Sequence, residues 1–591
     1  MILVFGGTTE GRMAAKVLDE SGTAYFYSTH RGFQDIQLAH GVHITGAMEG
    51  LQMATFCQEH DIRLLVDAAH PFAENLHRNI VQVAQALSIP VIRYDRIFPA
   101  HDDDLVWCKD YDDAISQLKK QGVHRLLALT GVKTIDKLRD YWQEHTCWFR
   151  ILNREESMRM AEKAGFPADH LVYYQQDDTA ALIGQLRPQA IITKESGTSG
   201  GFNEKIEAAR QAGTKVFVVE RPSYPAADGV TVHHVNGPHG LRRAVERTLP
   251  QFYPLHSGLT TGTCATAAAV AATHRLMTGE MPDEVPVILP DGETIHVAVN
   301  YGDGYASVIK VSGDDPDVTN GIEIRARVEP SDRFEILGGE GVGRFTVPGF
   351  DFPPGEAAIN KAPRQMMRDN IRDNVCITIS VPQGAEIARR TFNPRLGIEG
   401  GISIIGVSGI VKPFSEEAFI SSIRKCMQVA QASGSDRVVI NSGGKSERFV
   451  KAQYTDLPQQ AFVEYGNYIG ETLAIAHELG IKNVTLGVML GKAVKLAAGN
   501  LDTHSRHTTM DKDFIMEMLH EASINIDISD LTLARELWER IPQEKLQDFA
   551  SVVIGHCYTH CAPLLPNGHL TILLIDDNGK IYYSKEFLRR R

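Results

Sequence analysis

Ile2–Arg12 reads ILVFGGTTEGR, a short apolar run followed by a glycine-rich turn and a polar segment. The apolar run favours a buried β-strand, and the residues from Met13 to about Glu20 repeat apolar side chains with helical spacing. A strand, a glycine turn and a helix in succession are typical of the first βα unit of a parallel sheet. The stretch therefore predicts an α/β fold at the start of the chain.

The same alternation continues through the first half of the chain. Predicted elements of a first lobe, about residues 1–100, are strands Ile2–Phe5, Tyr25–Ser28, Leu64–Ala68 and Val91–Tyr94 with helices Leu51–Glu59 and Glu74–Ala86. Those of a second lobe, about residues 101–250, are strands Arg125–Thr130, Trp148–Leu152, Ala190–Thr193 and Lys215–Glu220 with helices Ile135–Trp142 and Asn203–Ala212. Strands that alternate with helices predict parallel sheets covered on both faces. We therefore expect two Rossmann-like lobes with a ligand cleft between them.

The second half differs in its hydrophobic periodicity and in its content of Gly and Pro turns. Leu249–Ser257 contains two prolines and no periodicity, which predicts a domain boundary near residue 250. Residues 258–400 combine one helix, Ala265–Leu276, with many Gly and Pro turns, which indicates an α+β region. From about residue 416 helices and strands alternate again, which predicts a further α/β lobe. The predicted domains are 1–250 and 251–591.

Composition excludes several classes of protein. The chain has 591 residues and a formal net charge of -13, which disfavours nonspecific nucleic-acid binding because that needs a basic surface. Its eight cysteines are scattered and do not form a disulfide framework, which fits a reducing compartment. We see no signal-peptide pattern, and no apolar run approaches the roughly 20 residues that span a bilayer. We therefore expect a cytoplasmic protein without nucleic-acid or membrane partners; the sequence leaves a homo-oligomer open.

The first glycine turn is a candidate cofactor site. Backbone amides at a helix N-terminus suit a dinucleotide pyrophosphate, and the residues placed to offer them are Gly6, Gly7, Thr8, Thr9 and Gly11. The spacing is not GxGxxG, so a tight βα turn without a ligand is the alternative.

The end of the second predicted strand bears on which nicotinamide cofactor would bind. An acidic residue there would hold the ribose 2′-OH of NAD, whereas Ser28, Thr29, His30 and Arg31 suit the 2′-phosphate of NADP. Arg31 is our candidate phosphate ligand and NADPH the predicted cofactor. A solvated loop residue is the alternative for Arg31.

Other loops of the first half follow predicted strands, where ligands of α/β proteins bind. His70 lies in DAAHPFA with Asp67 before it and Pro71 after it, and we take it as a catalytic candidate, against a structural histidine. Thr130 and Gly131 begin TGVK and are candidate cofactor ligands.

The loop 193–205 is rich in Gly, Ser, Thr and Lys. Its Lys194 and Ser196 suit carboxylates or phosphates, and we take them as substrate ligands. A flexible surface loop is the alternative.

The second half offers candidates of three kinds. Thr261 and Cys264 lie at a predicted helix start and are catalytic candidates, although simple N-capping and a buried thiol are the alternatives. Gly443 and Gly444 follow a predicted strand in VVINSGGKSERF, a plausible S-adenosylmethionine loop. Basic side chains within distinctive motifs are candidate carboxylate ligands, since guanidinium and ammonium groups pair with carboxylates: Arg364, Arg395, Lys492, Lys495 and Arg506. Solvated surface charges are the alternative.

Two clusters superficially suggest metals. GDDPDVTNG at Gly313–Gly321 lacks the regular ligand series of a calcium loop. HCYTHC at His556–Cys561 places four ligand types in six residues, which fits poorly around one tetrahedral ion. We predict no metal site.

Five segments of the first half together resemble the precorrin-6A reductase family over about residues 1–245: GGTTEGR, DAAHPFA, TGVK, KESGTSGG followed by KIEAAR, and VFVVERP. The resemblance implies hydride transfer from NADPH to a corrinoid double bond, with the hydride chemistry belonging to the cofactor.

The second half resembles the cobalt-precorrin-5B C-1-methyltransferase family over about residues 255–510, on TTGTCA, GDDPDVTNG, GEGVGRFT, PPGEAAIN, TFNPRLGIEGGISIIGVSGIV and GKAVKLAAGNLDTHSR. It implies S-adenosylmethionine as methyl donor, cobalt-corrinoid intermediates as substrates, and His504 as a candidate acid or base, against a structural histidine.

The product of the methyltransferase is the substrate of the reductase, so the sequence predicts a bifunctional enzyme. The alternatives are one active half, or a noncatalytic corrinoid carrier.

Overall fold

The computed structural model describes residues 1–30, 36–175, 178–505 and 508–584. It divides into two compact units: Met1–His256 with Ile288–His296, and Ser257–Val287 with Val297–Arg591. None of the helices in the described ranges is long and apolar enough to cross a bilayer.

The first unit alternates strands and helices. Its strands are β1 (Ile2–Phe5), β2 (Tyr25–Thr29), β3 (Gly41–Thr45), β4 (Leu64–Asp67), β5 (Val91–Tyr94), β6 (Val106–Cys108), β7 (Arg125–Ala128), β8 (Thr146–Ile151), β9 (Leu171–Tyr173), β10 (Ala190–Lys194), β11 (Lys215–Val219) and β12 (Val232–Val235). Its helices are α1 (Thr9–Asp19), α2 (Gly50–Glu59), α3 (Glu74–Leu87), α4 (Tyr111–Lys120), α5 (Arg139–Trp142), α6 (Glu155–Lys163), α7 (Thr179–Leu186), α8 (Phe202–Gln211) and α9 (Pro238–Thr248).

These strands form two parallel sheets, in the orders β12-β5-β4-β1-β2-β3 and β6-β11-β10-β7-β8-β9. All four residues of β1 are buried, as expected where helices cover both faces of a parallel sheet. In the first sheet the chain runs outward from β1 through β2 and β3, and then forms β4 on the other side of β1. In the second sheet it runs outward from β7 through β8 and β9, and then forms β10 on the other side of β7. At such a point the two loops separate and leave a crevice beyond the carboxyl ends of the strands.

The predicted parallel α/β character is confirmed, with two corrections. The predicted helix Ile135–Trp142 is instead one 3₁₀ turn, Asp136–Leu138, followed by the four-residue α5. The second lobe does not extend to residue 250, because β12 pairs with β5 and returns the chain to the first sheet. β12 is an edge strand with two histidines, so its apolar pattern is weak and pairing alone reveals it.

The strands that follow residue 257 are β13 (Gly258–Leu259), β14 (Glu284–Ile288), β15 (Thr294–Ala298), β16 (Asn300–Gly302), β17 (Tyr305–Ile309), β18 (Glu323–Pro330), β19 (Glu335–Gly338), β20 (Arg344–Phe345), β21 (Val375–Ser380), β22 (Ile398–Glu399), β23 (Ile410–Val411), β24 (Arg437–Asn441), β25 (Phe462–Glu464), β26 (Asn483–Met489), β27 (His569–Ile575) and β28 (Ile581–Tyr582). All lie in the second unit except that the end of β14 and the start of β15 fall within Ile288–His296 of the first. The helices of the second unit are α10 (Thr261–Thr278), α11 (Lys361–Asn370), α12 (Gly384–Ala388), α13 (Glu416–Ala432), α14 (Gly444–Gln453), α15 (Ile469–Glu478), α16 (Leu490–Ala497), α17 (Lys512–Glu521), α18 (Leu537–Arg540) and α19 (Leu546–Cys561).

Two five-stranded sheets organise this unit. The first is mixed, with the order β16-β17-β18-β21-β19, and α10 packs against β17, β18 and α11. The second has the order β25-β24-β26-β27-β28 and is parallel except for β28. Its core is continuous with side chains from α13, α15, α16, α17 and α19.

The start of α10 is anchored by threonine hydroxyls. Thr260 caps the helix by accepting the Thr263 N–H, and Thr263 donates to the carbonyl of Gly409 at 2.6 Å. Thr261 Oγ1 accepts the N–H of Ile405 at 2.8 Å and lies 3.2 Å from the carbonyl oxygens of Ser403 and Ile405. These bonds attach the buried helix to the segment 403–409, so the sequence-predicted threonines are used structurally.

Thr261→Val should therefore destabilise the second unit. The substitution leaves the Ile405 N–H without its acceptor, which should lower the free energy of unfolding by about 1–3 kcal/mol in urea denaturation. Thr266→Val is the matched control, because this buried hydroxyl donates to the carbonyl of Gly262 within the same helix and should cost less than about 1 kcal/mol. Equal stability of the two variants would show that the anchor contributes nothing.

Candidate functional sites

The glycine turn after β1 is closely packed. A Cβ at Gly6 would overlap the ring of Tyr27, and a Cβ at Gly11 would stand 2.7 Å from the Cα of Gly6. Thr8 caps α1 by accepting the Gly11 N–H at 3.0 Å and donates to the carbonyl of Ala68. The absence of side chains lets helix, turn and strand approach each other, as in dinucleotide-binding turns.

A buried carboxylate network lies beside this turn. Asp67, at the end of β4, is fully buried and accepts hydrogen bonds from Arg93 Nη1 at 2.9 Å and Tyr224 Oη at 2.9 Å. It lies 2.6 Å from Nδ1 of His77, and the N–H of Ala69 also donates to it. The pKa of Asp67 is lowered, because these donors, led by His77 and Arg93, outweigh desolvation. The sequence places Asp67 only as a neighbour of His70, whereas in the structure Asp67 is the centre of the network.

His70 lies next to this network but is not bonded to Asp67. Its Nδ1 accepts the N–H of Phe72 at 3.2 Å, so the ring proton lies on Nε2. Burial, followed by the charges of Arg96 and Lys194, lowers the pKa of His70 to about 3. The ring is therefore neutral near pH 7 and can donate one hydrogen bond from Nε2.

A second buried ion pair of the first lobe is hydrogen-bonded to the loop that follows β10 of the second sheet. Glu10, in the first turn of α1, pairs with Arg96 at 3.1 Å and accepts the hydroxyl of Ser199. Arg96 also donates to the carbonyl of Ser196 at 2.7 Å, while the Ser196 hydroxyl donates to Gly200. The polar atoms of Ser196 are thus used within the loop.

Lysines gather around the loops after β7 and β10. Burial, together with the charges of Lys137 and Lys133, lowers the pKa of Lys194 to about 8. The pKa of Lys205 is also lowered to about 8, first by burial. Thr130 at the adjacent strand end is bonded to Thr134, and Gly131 adopts φ +83° at the start of the turn. The structure therefore brings together Lys194, Thr130 and Gly131, which the sequence could only place on separate strands.

A cavity of about 380 Å³ opens next to the network. Its lining includes His77, Arg93, Asp95, Glu195, Arg221 and Tyr224. Asp95 pairs with Arg93 at 2.8 Å and with His234 at 2.8 Å, and Arg221 pairs with Glu195. The cavity wall is thus polar and largely charge-compensated.

The predicted 2′-phosphate site is described in part. Ser28 and Thr29 are buried, and Thr29 Oγ1 lies 2.8 Å from Nε2 of His43, while His30 is exposed. Arg31 lies outside the described residues.

In the second unit the carboxyl ends of β24, β25 and β26 bring together residues from distant motifs. Gly443 and Gly444 have φ of +82° and +54°, which favour glycine, and α14 begins there. Lys492 donates to the carbonyl of Gly466, and burial lowers its pKa to about 8. Lys495 lies 3.3 Å from the carbonyl of Thr503, next to His504. Gly443, Gly444, Lys492, Lys495 and His504 therefore share one region.

One predicted substrate ligand at this edge, Arg395, already has partners within the protein. Arg395 pairs with Glu464 at 2.9 Å and with Glu447 at 2.8 Å, so its charge is already matched within the protein. Glu464 is not among the sequence-predicted residues, although an acidic residue about 20 residues after the glycine turn is a signal that could have found it. Arg506 lies outside the described residues.

The remaining candidates lie elsewhere in this unit. Arg364 is on α11, stacks on Phe352 at 4.4 Å, and lines a cavity of about 300 Å³ with Lys361 and Arg368. Cys264 is fully buried within α10, and burial of both Thr261 and Cys264 places them in the interior.

In the two clusters that superficially suggest metal sites, 313–321 and 556–561, side chains form ion pairs or pack in the core. Asp317 pairs with Lys310 at 2.7 Å. On α19, Cys557 and Cys561 are in the core, and His556 lies 2.9 Å from Glu521.

Comparisons with known proteins match the two halves of the chain to different families. Residues 1–237 match the family model described as precorrin-6x reductase CbiJ/CobK, and residues 250–413 match the model described as CbiD. A cobalt-precorrin-5B C(1)-methyltransferase of Prosthecochloris aestuarii is 41% identical over 345 residues, which cover 54% of this chain and 94% of that protein. One of Brucella anthropi is 44% identical over 297 residues, 47% of this chain and 80% of that protein. A solved structure named CobK precorrin-6A reductase is 19% identical over 42% of this chain and 97% of its own, with a TM-score of 0.35.

The surroundings of His70 predict a pH dependence of stability. A histidine in the unfolded chain titrates near 6.5, whereas the folded pKa is about 3. Below about pH 6.5 the unfolded chain therefore takes up a proton that the folded chain does not, and stability falls by at most about 1.4 kcal/mol per pH unit.

His70→Gln should accordingly reduce the fall in urea midpoint between pH 7 and 4.5. A Trp538→Phe background leaves Trp107, Trp142 and Trp148 to report on the first unit by fluorescence. The comparison at pH 8, where the histidine is neutral in both states, isolates any loss of packing. Identical pH dependence with and without His70 would contradict the shielded environment.

Proposed function

Because the chain belongs to the cobalt-precorrin-5B C(1)-methyltransferase family through its second half and carries a precorrin-6x reductase domain in its first, we propose that it is a bifunctional enzyme of cobalamin biosynthesis. Its second unit methylates C-1 of cobalt-precorrin-5B, and its first unit reduces the product, cobalt-precorrin-6A. One observation carries the proposal: the two family matches do not overlap, and residues 1–237 lie in the first compact unit whereas residues 250–413 lie mostly in the second.

In the first unit the lysines bind the substrate. Corrinoid intermediates carry many carboxylates, and an acidic protein needs local cations to hold them. Around the loops after β7 and β10, the charges of Lys137 and Lys133 act on Lys194, and the charge of Lys194 acts on Lys205. An ammonium group whose neighbours are cations gains most from an incoming carboxylate, because the mutual repulsion is relieved.

The turn after β1 binds the nicotinamide cofactor. The close packing of Gly6 and Gly11 fits the approach of a pyrophosphate to the backbone, and Ser28 to His30 present no acidic group that would repel a 2′-phosphate. The cofactor is therefore NADPH, which when bound supplies the hydride. Glu10 is in the first turn of α1, and Arg96 neutralises it, so the turn need not repel an anion.

Lys194 supplies the proton that accompanies the hydride. Its ammonium form predominates at pH 7, while its lowered pKa of about 8 makes proton release easier than from an ordinary lysine. His70 is neutral and orients the substrate through Nε2–H rather than acting as the acid.

In the second unit the edge formed by β24, β25 and β26 binds S-adenosylmethionine, which when bound supplies the methyl group. The turn at Gly443 and Gly444 receives it, and Lys492, Lys495 and His504 face the acceptor. Catalysis rests on holding the ring carbon next to the methyl group, so most of the protein's contribution is alignment.

Assays with each cosubstrate present or omitted, and substitutions made in one unit at a time, test whether each unit carries out one reaction. With cobalt-precorrin-5B, NADPH and labelled S-adenosylmethionine, mass spectrometry should find one added methyl group and two added hydrogens. Lys194→Met should leave methylation intact and let cobalt-precorrin-6A accumulate. Lys492→Met should reduce methylation at least about tenfold, while reduction of supplied cobalt-precorrin-6A continues. NADH in place of NADPH should lower the kcat/KM of reduction.

Loss of both activities in either well-folded variant would contradict one reaction in each unit. Binding of the corrinoid without any turnover would favour a noncatalytic carrier instead.

The role of Lys194 predicts a basic limb in the pH profile of reduction. Because the ammonium form is the acid, the kcat/KM of reduction, which reports on the substrate-free protein, should fall as pH rises through about 8. Lys194→Arg keeps the positive charge but cannot release its proton, so reduction should be slow and the limb near pH 8 should vanish. Lys215→Arg, an exposed lysine of β11, is the control and should keep the parental profile. A limb that persists in Lys194→Arg would assign the proton to another group.

A further inference from the structure

Glu464 stands at the end of the strand next to the glycine turn of the second unit. β24 and β25 are parallel neighbours, and their last residues, Asn441 and Glu464, are directly paired in register. The chain leaves β24 through the turn and α14, forms β25 on one side, and then forms β26 on the other side of β24. β24 is thus the strand at which the order reverses, where ligands of α/β sheets bind.

The glycine turn and the carboxylate are in direct proximity. A Cβ at Gly443 would overlap Oε1 of Glu464. The turn itself is held rigidly, because Asn441 Oδ1 accepts the Gly443 N–H at 2.8 Å and the Ser446 hydroxyl donates to the Gly443 carbonyl. Glycine at 443 therefore leaves room for the carboxylate above the turn.

The carboxylate is oriented by one partner and keeps capacity for another. Arg395 Nη1 donates to Oε2 at 2.9 Å, while Oε1 is the oxygen nearest to the turn. An ionised carboxylate offers about four acceptor sites, so this contact leaves room for further donors. The side chain is 26% exposed and can be reached from solvent.

A vicinal diol matches this arrangement. Two adjacent hydroxyls can donate to the two oxygens of one carboxylate, and such charge-assisted bonds are strong. In dinucleotide-binding sheets an acidic residue about 20 residues after the glycine turn, at the end of the adjacent strand, holds the ribose hydroxyls.

We propose that Glu464 binds the ribose diol of the adenosyl group, with Arg395 as the residue that positions it. This inference rests on the proposed function, since it assigns the nucleoside part of the methyl donor. It gives Arg395 a role different from that of a corrinoid carboxylate ligand. It also explains why the distant segments that contain Arg395, Gly443 and Glu464 converge.

Calorimetric binding of S-adenosylhomocysteine and of its 2′-deoxy analogue to the full chain tests the proposal. The parent protein should bind the ribose form about 10- to 100-fold more tightly, as expected for a hydrogen bond to a charged group. In Glu464→Gln the ribose form should bind about 10- to 100-fold more weakly than to the parent, and the preference over the deoxy form should fall to within about threefold. Glu464→Asp, which keeps the charge but withdraws the oxygens, should also lose most of the preference.

Glu447→Gln is the matched control, because Glu447 is the other carboxylate that pairs with Arg395. It should retain the ribose preference. A preference that survives in both Glu464 variants would overturn the assignment while leaving S-adenosylmethionine binding in place. Failure of the parent chain to bind S-adenosylhomocysteine at all, with no methyl transfer, would instead overturn the proposed function of the second unit and this inference with it.

Discussion

The direction of parallel strands is the constraint on which both units depend. Neighbouring parallel strands are joined by crossovers, so their carboxyl ends meet at one edge of the sheet. In the first sheet this gathers the turn at Gly6, which follows β1, and the carboxylate of Asp67 at the end of β4. In the second sheet it places the ammonium of Lys194, at the end of β10, beside the turn at Gly131 after β7. In the second unit the same constraint gathers Gly443, Glu464 and Lys492. Chemistry in each unit therefore depends on loops that are far apart in sequence.

Whether a buried charged group is paired within the protein determines whether it is available to bind a substrate. Removing a carboxylate or a guanidinium from water is unfavourable unless a partner compensates it. In the first unit Asp67 and Arg93 compensate each other, as do Glu10 and Arg96, so these four residues hold the architecture. Lys194 and Lys205 instead have lowered pKa values, because burial and neighbouring cations disfavour their charged forms. An anionic ligand would relieve that penalty, which links the electrostatics of the loops to binding.

The second unit separates anchoring from recognition in a similar way. Threonine hydroxyls at the start of α10 bond to carbonyls and amides of the segment 403–409, so a motif that suggests catalytic residues serves packing. Arg395 pairs with Glu447 and Glu464, so a guanidinium group that suggests a ligand for substrate carboxylates instead orients carboxylates of the protein. In both cases the same residue types would be read differently if their partners were unknown.

The sequence by itself determined the alternation of strands and helices, the change of texture near residue 250 and the glycine turns, because these are local properties of spacing and composition. It also carried the family resemblances, which rest on long ordered motifs. Tertiary structure decided the return of β12 to the first sheet, since an edge strand is defined by its partner rather than by its pattern. It likewise decided that Asp67 is a hub, that His70 is neutral, and that Glu464 lies over Gly443. Register, burial and charge pairing act between residues distant in sequence, and no local pattern encodes them.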